Sequence, residues 1–222
     1  MSVKALYQRI AALPPEKRAL LERHLQQKQQ AADAAAMPVR RPDQPVPVSL
    51  MQQRLWLLDQ LAPGNLAYTL PIVAFVLQGK LNVRILQRTF EELERRHESL
   101  RTIFREIDGE ACQIVQPPGR VPLPLVDLSH LDSSHRRDYA EEMARREGRR
   151  PFNLATGPLW RTSLWQLEPD HYLLLVIKHH IITDGWSLGV VYREVSTIYS
   201  AFLDGQPSPL PELAVQYRDF SL

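Results

Sequence analysis

The chain has 222 residues, with 44% hydrophobic and 23% charged residues and a formal net charge of +2. That composition excludes a wholly disordered chain and is long enough to bury a core without covalent staples. A single cysteine, Cys112, excludes an internal disulfide framework and any site needing several thiolates; one free thiol fits a reducing cytoplasm.

In chain order, residues 1–36 read as a short helical arm, with Leu6, Ile10 and Leu13 at helical spacing and a second run through Leu20, Leu21 and Leu25 after Pro14-Pro15. The arm holds six basic residues against three acidic ones, so the positive charge belongs to it and the rest of the chain is near neutral. No basic face for nucleic acid and no apolar run long enough for a membrane are present. Pro38, Pro42, Pro45 and Pro47 make residues 37–48 an extended linker, which places the domain boundary there. From residue 49 the body alternates. Ser49 caps a helix to Leu61, residues 71–77 form a strand, and Asn82 caps a helix to about Ser99. Residues 101–107 and 111–115 flank Asp108-Gly109 as a hairpin. Ser133 or Ser134 opens a charged helix to about Glu147. Strands 159–167 and 171–178 flank the turn Glu168-Pro169-Asp170. A last helix, 185–203, buries Leu188, Val191, Val195, Ile198 and Phe202 and ends at Gly205. Strands and helices mix without regular βαβ repetition, which predicts an α/β fold: a two-layer sandwich with a mixed, largely antiparallel sheet packed by helices.

The chemistry concentrates in Lys178-His179-His180-Ile181-Ile182-Thr183-Asp184-Gly185-Trp186-Ser187. Two histidines end an almost wholly apolar strand and emerge where α/β folds place reactive groups. A neutral imidazole there accepts a proton near neutral pH, Asp184-Gly185 turns the chain into the next helix, and that helix's first amides face developing negative charge. Packed, hydrogen-bonded histidines are the plain alternative. A metal site is the other: His180 and Asp184 are four apart, but the β-branched residues between them follow a strand, and no further ligand pair completes a set. Neither a metal nor a directly bound cofactor is expected. Cys112 reads as a small hydrophobe in a strand.

His179-His180-x-x-x-Asp184-Gly185 resembles the HHxxxDG motif of nonribosomal peptide synthetase condensation domains, and chloramphenicol acetyltransferase has a related one. Three further stretches agree in order. Ser49-x-x-Gln52-x-Arg54-Leu55-Trp56 is similar to the opening SxAQxRxW motif, with Met51 in place of alanine. Arg96-His97-Glu98-Ser99-Leu100-Arg101-Thr102-Ile103-Phe104 matches RHExLRTxF. Tyr217-Arg218-Asp219-Phe220 begins the YxDYAVW motif. The resemblance covers residues 49–222 and implies the N-terminal subdomain of a condensation domain, without the second half that completes the V-shaped pair.

The resemblance also implies a reaction: amide formation between a donor acyl or peptidyl thioester and the α-amine of an acceptor aminoacyl group, each carried on the phosphopantetheine of a carrier protein. By the same resemblance His180 is the catalytic residue, as a base or a positioning group. His179, Asp184, Gly185, Trp186 and Ser187 support the loop, and Arg101 pairs with Asp184. The implied partners are the donor and acceptor carrier proteins, the C-terminal subdomain and, through residues 1–36, an upstream synthetase subunit with an acidic tail. Alone, the half domain is expected to have little activity. A docking or carrier-binding module, or a free-standing oligomeric acyltransferase, are the competing readings.

Overall fold

The computed structural model divides the chain into two compact units, residues 1–39 and 40–222. It describes residues 45–69 and 73–221, all in the second. The arm read over residues 1–36, and the linker up to residue 44, lie outside the described residues. The linker's last residues do not behave as linker: β1 (Val46–Pro47) pairs with a strand of the body, and Val46 is buried. Proline is tolerated there because β1 is an edge strand.

Helix α1 (Leu50–Leu61) starts at the expected cap. Ser49 Oγ accepts from the Gln52 amide at 3.3 Å, and Gln52 Oε1 accepts from the Ser49 amide at 3.0 Å, a reciprocal capping box. Its outer residues Leu50, Met51, Leu57 and Leu61 are exposed. Strand β2 (Val73–Gln78) leads to α2 (Val83–Arg96), capped by Asn82 Oδ1. The helix ends three residues earlier than the sequence suggests, because residues Glu98–Arg101 tighten into a 3-10 turn. The hairpin β3 (Thr102–Ile107) and β4 (Glu110–Val115) turns on Asp108 and Gly109, both at positive φ, as a two-residue turn requires. Strand β5 (Leu125–Asp127) was not legible in the sequence; it pairs parallel to β6. Helix α3 (Ser133–Gly148) is capped by Asp132 rather than by either serine, its Oδ1 accepting from the His135 amide. Strands β6 (Trp160–Glu168) and β7 (His171–Lys178) turn on Asp170, and α4 (Gly185–Leu203) closes the core.

The strands form two sheets. The hairpin and β1 make one, in the order β1-β4-β3; the other runs β2-β7-β6-β5, antiparallel except for β5 against β6. Strand β7 is central, and its alternation shows why it is apolar throughout. Tyr172, Leu174 and Val176 join Leu86, Phe90 and Leu93 of α2 in the main core, while Leu175 packs on Trp165 and Ala140 of α3 on the opposite face. Val191 and Val195 of α4 pack against the main core, and Ile198 is fully buried. Cys112 is buried in β4, as expected of a small hydrophobe. Among the described residues no helix is long and apolar enough to cross a membrane.

Candidate active site

Strand β7 ends at Lys178, and the chain then makes a 3-10 turn, His180–Ile182, before α4 begins. Ile181 and Ile182 are buried in the main core, so the loop is anchored by its apolar side chains.

The two histidines are in opposite states. His179 is 3% exposed and its Nδ1 accepts from the Ile181 amide at 3.1 Å. That bond places the ring hydrogen on Nε2 in the neutral form. The ring stands edge-on to Phe152, and burial, with the neighbouring His180, pulls its pKa down to about 4. His179 is therefore a structural, neutral imidazole that shapes the turn. His180 is exposed, and its Nδ1 lies 2.7 Å from the Thr183 carbonyl oxygen. A carbonyl only accepts, so Nδ1 carries the hydrogen and the neutral ring presents the Nε2 lone pair outward.

Asp184 caps α4. Its Oδ1 accepts from the Ser187 amide at 2.8 Å and from the Ser187 hydroxyl at 2.6 Å, and these bonds hold its carboxyl below the usual carboxylate range. The Arg101–Asp184 pair implied by the resemblance is corrected here. Asp184 is satisfied within its own helix turn, whereas Arg101 donates to the Gln116 carbonyl and faces Glu98 at 3.7 Å. At Gly185 φ lies outside the left-handed region, a Cβ would meet nothing within 4 Å, and the absent side chain leaves the approach to α4 open. Trp186 is 87% exposed beside it. His180 and Asp184 do not share a helix face, since one lies in the 3-10 turn and the other is a cap. Among the described residues no group of three or more His, Cys, Asp or Glu could hold a metal ion.

Two supports were missed in the sequence. Gln52, buried in α1, donates from Nε2 to the Ile181 carbonyl at 3.2 Å and to Gln113 Oε1 at 3.3 Å, tying the first motif to the histidine loop. Gln113 in turn donates to the Pro47 carbonyl and to Ser221 Oγ. The second is Lys178, buried at 3% exposure, whose Nζ donates to Thr183 Oγ1 at 3.3 Å. A lysine closing an apolar strand was the available signal.

The Arg96–Arg101 run is not a solvated charge face. Arg96 is buried, with Nε 3.3 Å from Glu194 of α4 and Nη1 donating to the carbonyls of Leu210 and Pro211. His97 Nε2 lies 2.8 Å from the same Glu194 oxygen, and Glu98 faces Arg218 at 3.2 Å. The run clamps α4 and the segment 210–218 to the end of α2.

Residues 43–222 match the model of the Condensation domain family. The chain is 43% identical over 176 residues to chondramide synthase cmdD of Chondromyces crocatus, covering 79% of this chain and 4% of that protein. It is 39% identical over 219 residues to phosphinothricin tripeptide synthetase PhsC of Streptomyces viridochromogenes, covering 97% of this chain and 20% of the synthetase. The X-domain from teicoplanin biosynthesis superposes with a TM-score of 0.73 at 28% identity, over 82% of this chain and 38% of that structure. The chain thus spans a small part of these synthetases and about two fifths of the solved domain. With the HHxxxDG loop, the sheet and the helices that frame it all within the matched residues, the chain belongs to the condensation domain family of nonribosomal peptide synthetases.

Proposed function

We propose that residues 49–222 are the N-terminal subdomain of a condensation domain and carry the loop that forms an amide between two carrier-bound substrates. The acceptor's α-amine attacks the carbonyl carbon of the donor thioester; the C–N bond forms, the C–S bond breaks and the phosphopantetheine thiolate leaves. The amine must lose a proton in that step. His180 Nε2 accepts it and the resulting imidazolium returns it to the thiolate, so no directly bound cofactor is required. The observation that supports this reading is the 2.7 Å contact of His180 Nδ1 with the Thr183 carbonyl, which leaves Nε2 as the free acceptor. The open space at Gly185 lies beside the turn and leaves room for a substrate oxygen there. The test is amide formation by a synthetase containing this chain, with loaded donor and acceptor carrier proteins. His180→Ala is expected to lower the rate roughly 100-fold or more while carrier binding persists; a rate within twofold of the parent excludes His180 as the base.

In this reading the second subdomain completes the site, and residues 1–222 alone form little or no amide. Robust turnover by the isolated chain would exclude that dependence. The excess of basic residues in 1–36 supports a role in docking the acidic tail of an upstream synthetase subunit. Titration of a Met1–Val48 peptide with such tails tests it, and salt-insensitive or absent binding counts against it. The single free thiol, Cys112, supports placing this chemistry in the reducing cytoplasm.

A further inference from the structure

Lys178 has no part in the proposed amide formation, yet it sits directly under the histidine loop. It ends β7 and is 3% exposed, a setting in which lysine is rare. Burial lowers its pKa, opposed by the field of Asp184. Its hydrogen bond crosses from one end of the loop to the other: Nζ donates to Thr183 Oγ1 at 3.3 Å. Thr183 is itself buried, and its carbonyl is the group that takes the His180 Nδ1 hydrogen. Thr183 is thus held by its side chain and holds His180 by its backbone. The Lys178 bond restrains Thr183 in its extended backbone, and the Thr183 carbonyl decides which ring nitrogen of His180 carries the hydrogen.

We infer that Lys178 is a positioning residue for His180, acting through Thr183: its bond to the Thr183 hydroxyl locks the carbonyl that sets the ring orientation and tautomer of His180. The geometric part stands on these contacts; the kinetic consequence rests on the proposed function.

The test reads the ring nitrogens directly. The full 222-residue chain is labelled with 15N, and long-range 1H–15N correlations are recorded where the histidine rings are neutral. The parent is expected to show a protonated Nδ1 and an unprotonated Nε2 at His180, and the reverse at His179. Lys178→Met and Thr183→Val each shift the two His180 nitrogens toward a common averaged position, while Thr183→Ser, which keeps the hydroxyl, retains the parent pattern and His179 stays put. Parent-like His180 nitrogens in both Lys178→Met and Thr183→Val overturn the inference. Loss of the His179 signals marks a Lys178→Met chain that has not folded, and the Thr183→Val and Thr183→Ser pair then decides. In a synthetase, Lys178→Met should lower kcat for amide formation about tenfold with KM nearly unchanged. If the nitrogens move and kcat does not, the catalytic reading of His180 falls and the positioning holds. If they stay while His180→Ala abolishes turnover, the positioning falls and the catalytic reading holds.

Discussion

Gln52 and Ile181 are 129 residues apart in the chain, and the side-chain amide of one donates to the backbone carbonyl of the other at 3.2 Å in a buried contact. Removing the donor strands the Ile181 carbonyl and Gln113 Oε1 together. A buried acceptor left unpaired costs about 1–3 kcal/mol. Gln52→Leu should therefore lower Tm by roughly 2–12 °C. Gln52→Glu keeps an acceptor for the Ser49 amide but turns a carboxylate toward two carbonyl oxygens. It should be the worse variant, which thermal denaturation of both will decide; a loss confined to Gln52→Leu points to the helix cap as the whole effect.

The neutral state of His179 has an acid signature. Its pKa in the fold is about 4, against an ordinary value near 6.5 in the unfolded chain. Between those values the unfolded chain binds the proton and the folded chain does not, so stability falls as pH drops from about 6.5 to 4 and is complete above that window. The difference amounts to roughly 3 kcal/mol. Urea denaturation across this range should show the slope, and His179→Gln should flatten it. An unchanged slope removes His179 as its source.

Asp184 gives a second, more acidic window. Its carboxyl is depressed by Ser187, so its contribution is present above about pH 4 and lost as the pH falls through its own lower value. Because asparagine caps helices as well as aspartate, Asp184→Asn should keep Tm within about 2 °C, whereas Asp184→Ala should cost about 1 kcal/mol. Similar losses in both variants indicate that the charge, not the cap, matters.

Two glutamates separate buried from exposed pairing. Burial pushes the Glu194 carboxyl up, but His97 and Arg96 outweigh it and hold it below the usual value. Glu194→Ala leaves the Arg96 guanidinium, 2% exposed, bonded to the Leu210 and Pro211 carbonyls, with the exposed Glu212 carboxylate as a more distant counter-charge. The expected cost is about 3 kcal/mol. Glu92 pairs with Arg95 at the surface, and Glu92→Ala should cost less than about 1 kcal/mol. Denaturant titration of both compares them, and a small effect at Glu194 makes the clamp dispensable.

Elements with local signals were legible: caps at Ser49 and Asn82, the Asp108-Gly109 turn and the apolar run of β7 all follow from nearest-neighbour chemistry. The three-residue strand β5 carries too little pattern to be read, and its existence depends on β6 as a template. The Val46–Pro47 strand was hidden because proline spacing reads as linker until a partner strand is known. At the site, the residue types and their spacing marked the histidines, but roles set by long-range contacts did not show. Gln52 and Lys178 act through partners that only the fold brings near, and Asp184 turns to Ser187 rather than to Arg101.

The chain contains four tryptophans, and they divide optically. Trp160 and Trp165 are shut in the core and Trp56 packs half-buried against it, whereas the Trp186 indole stands in solvent one residue past Gly185. Its fluorescence should be red-shifted and open to iodide quenching, set apart from the two core emitters. Anything that settles over the histidine loop must dim that access, so the protein carries its own lamp at the mouth of the site.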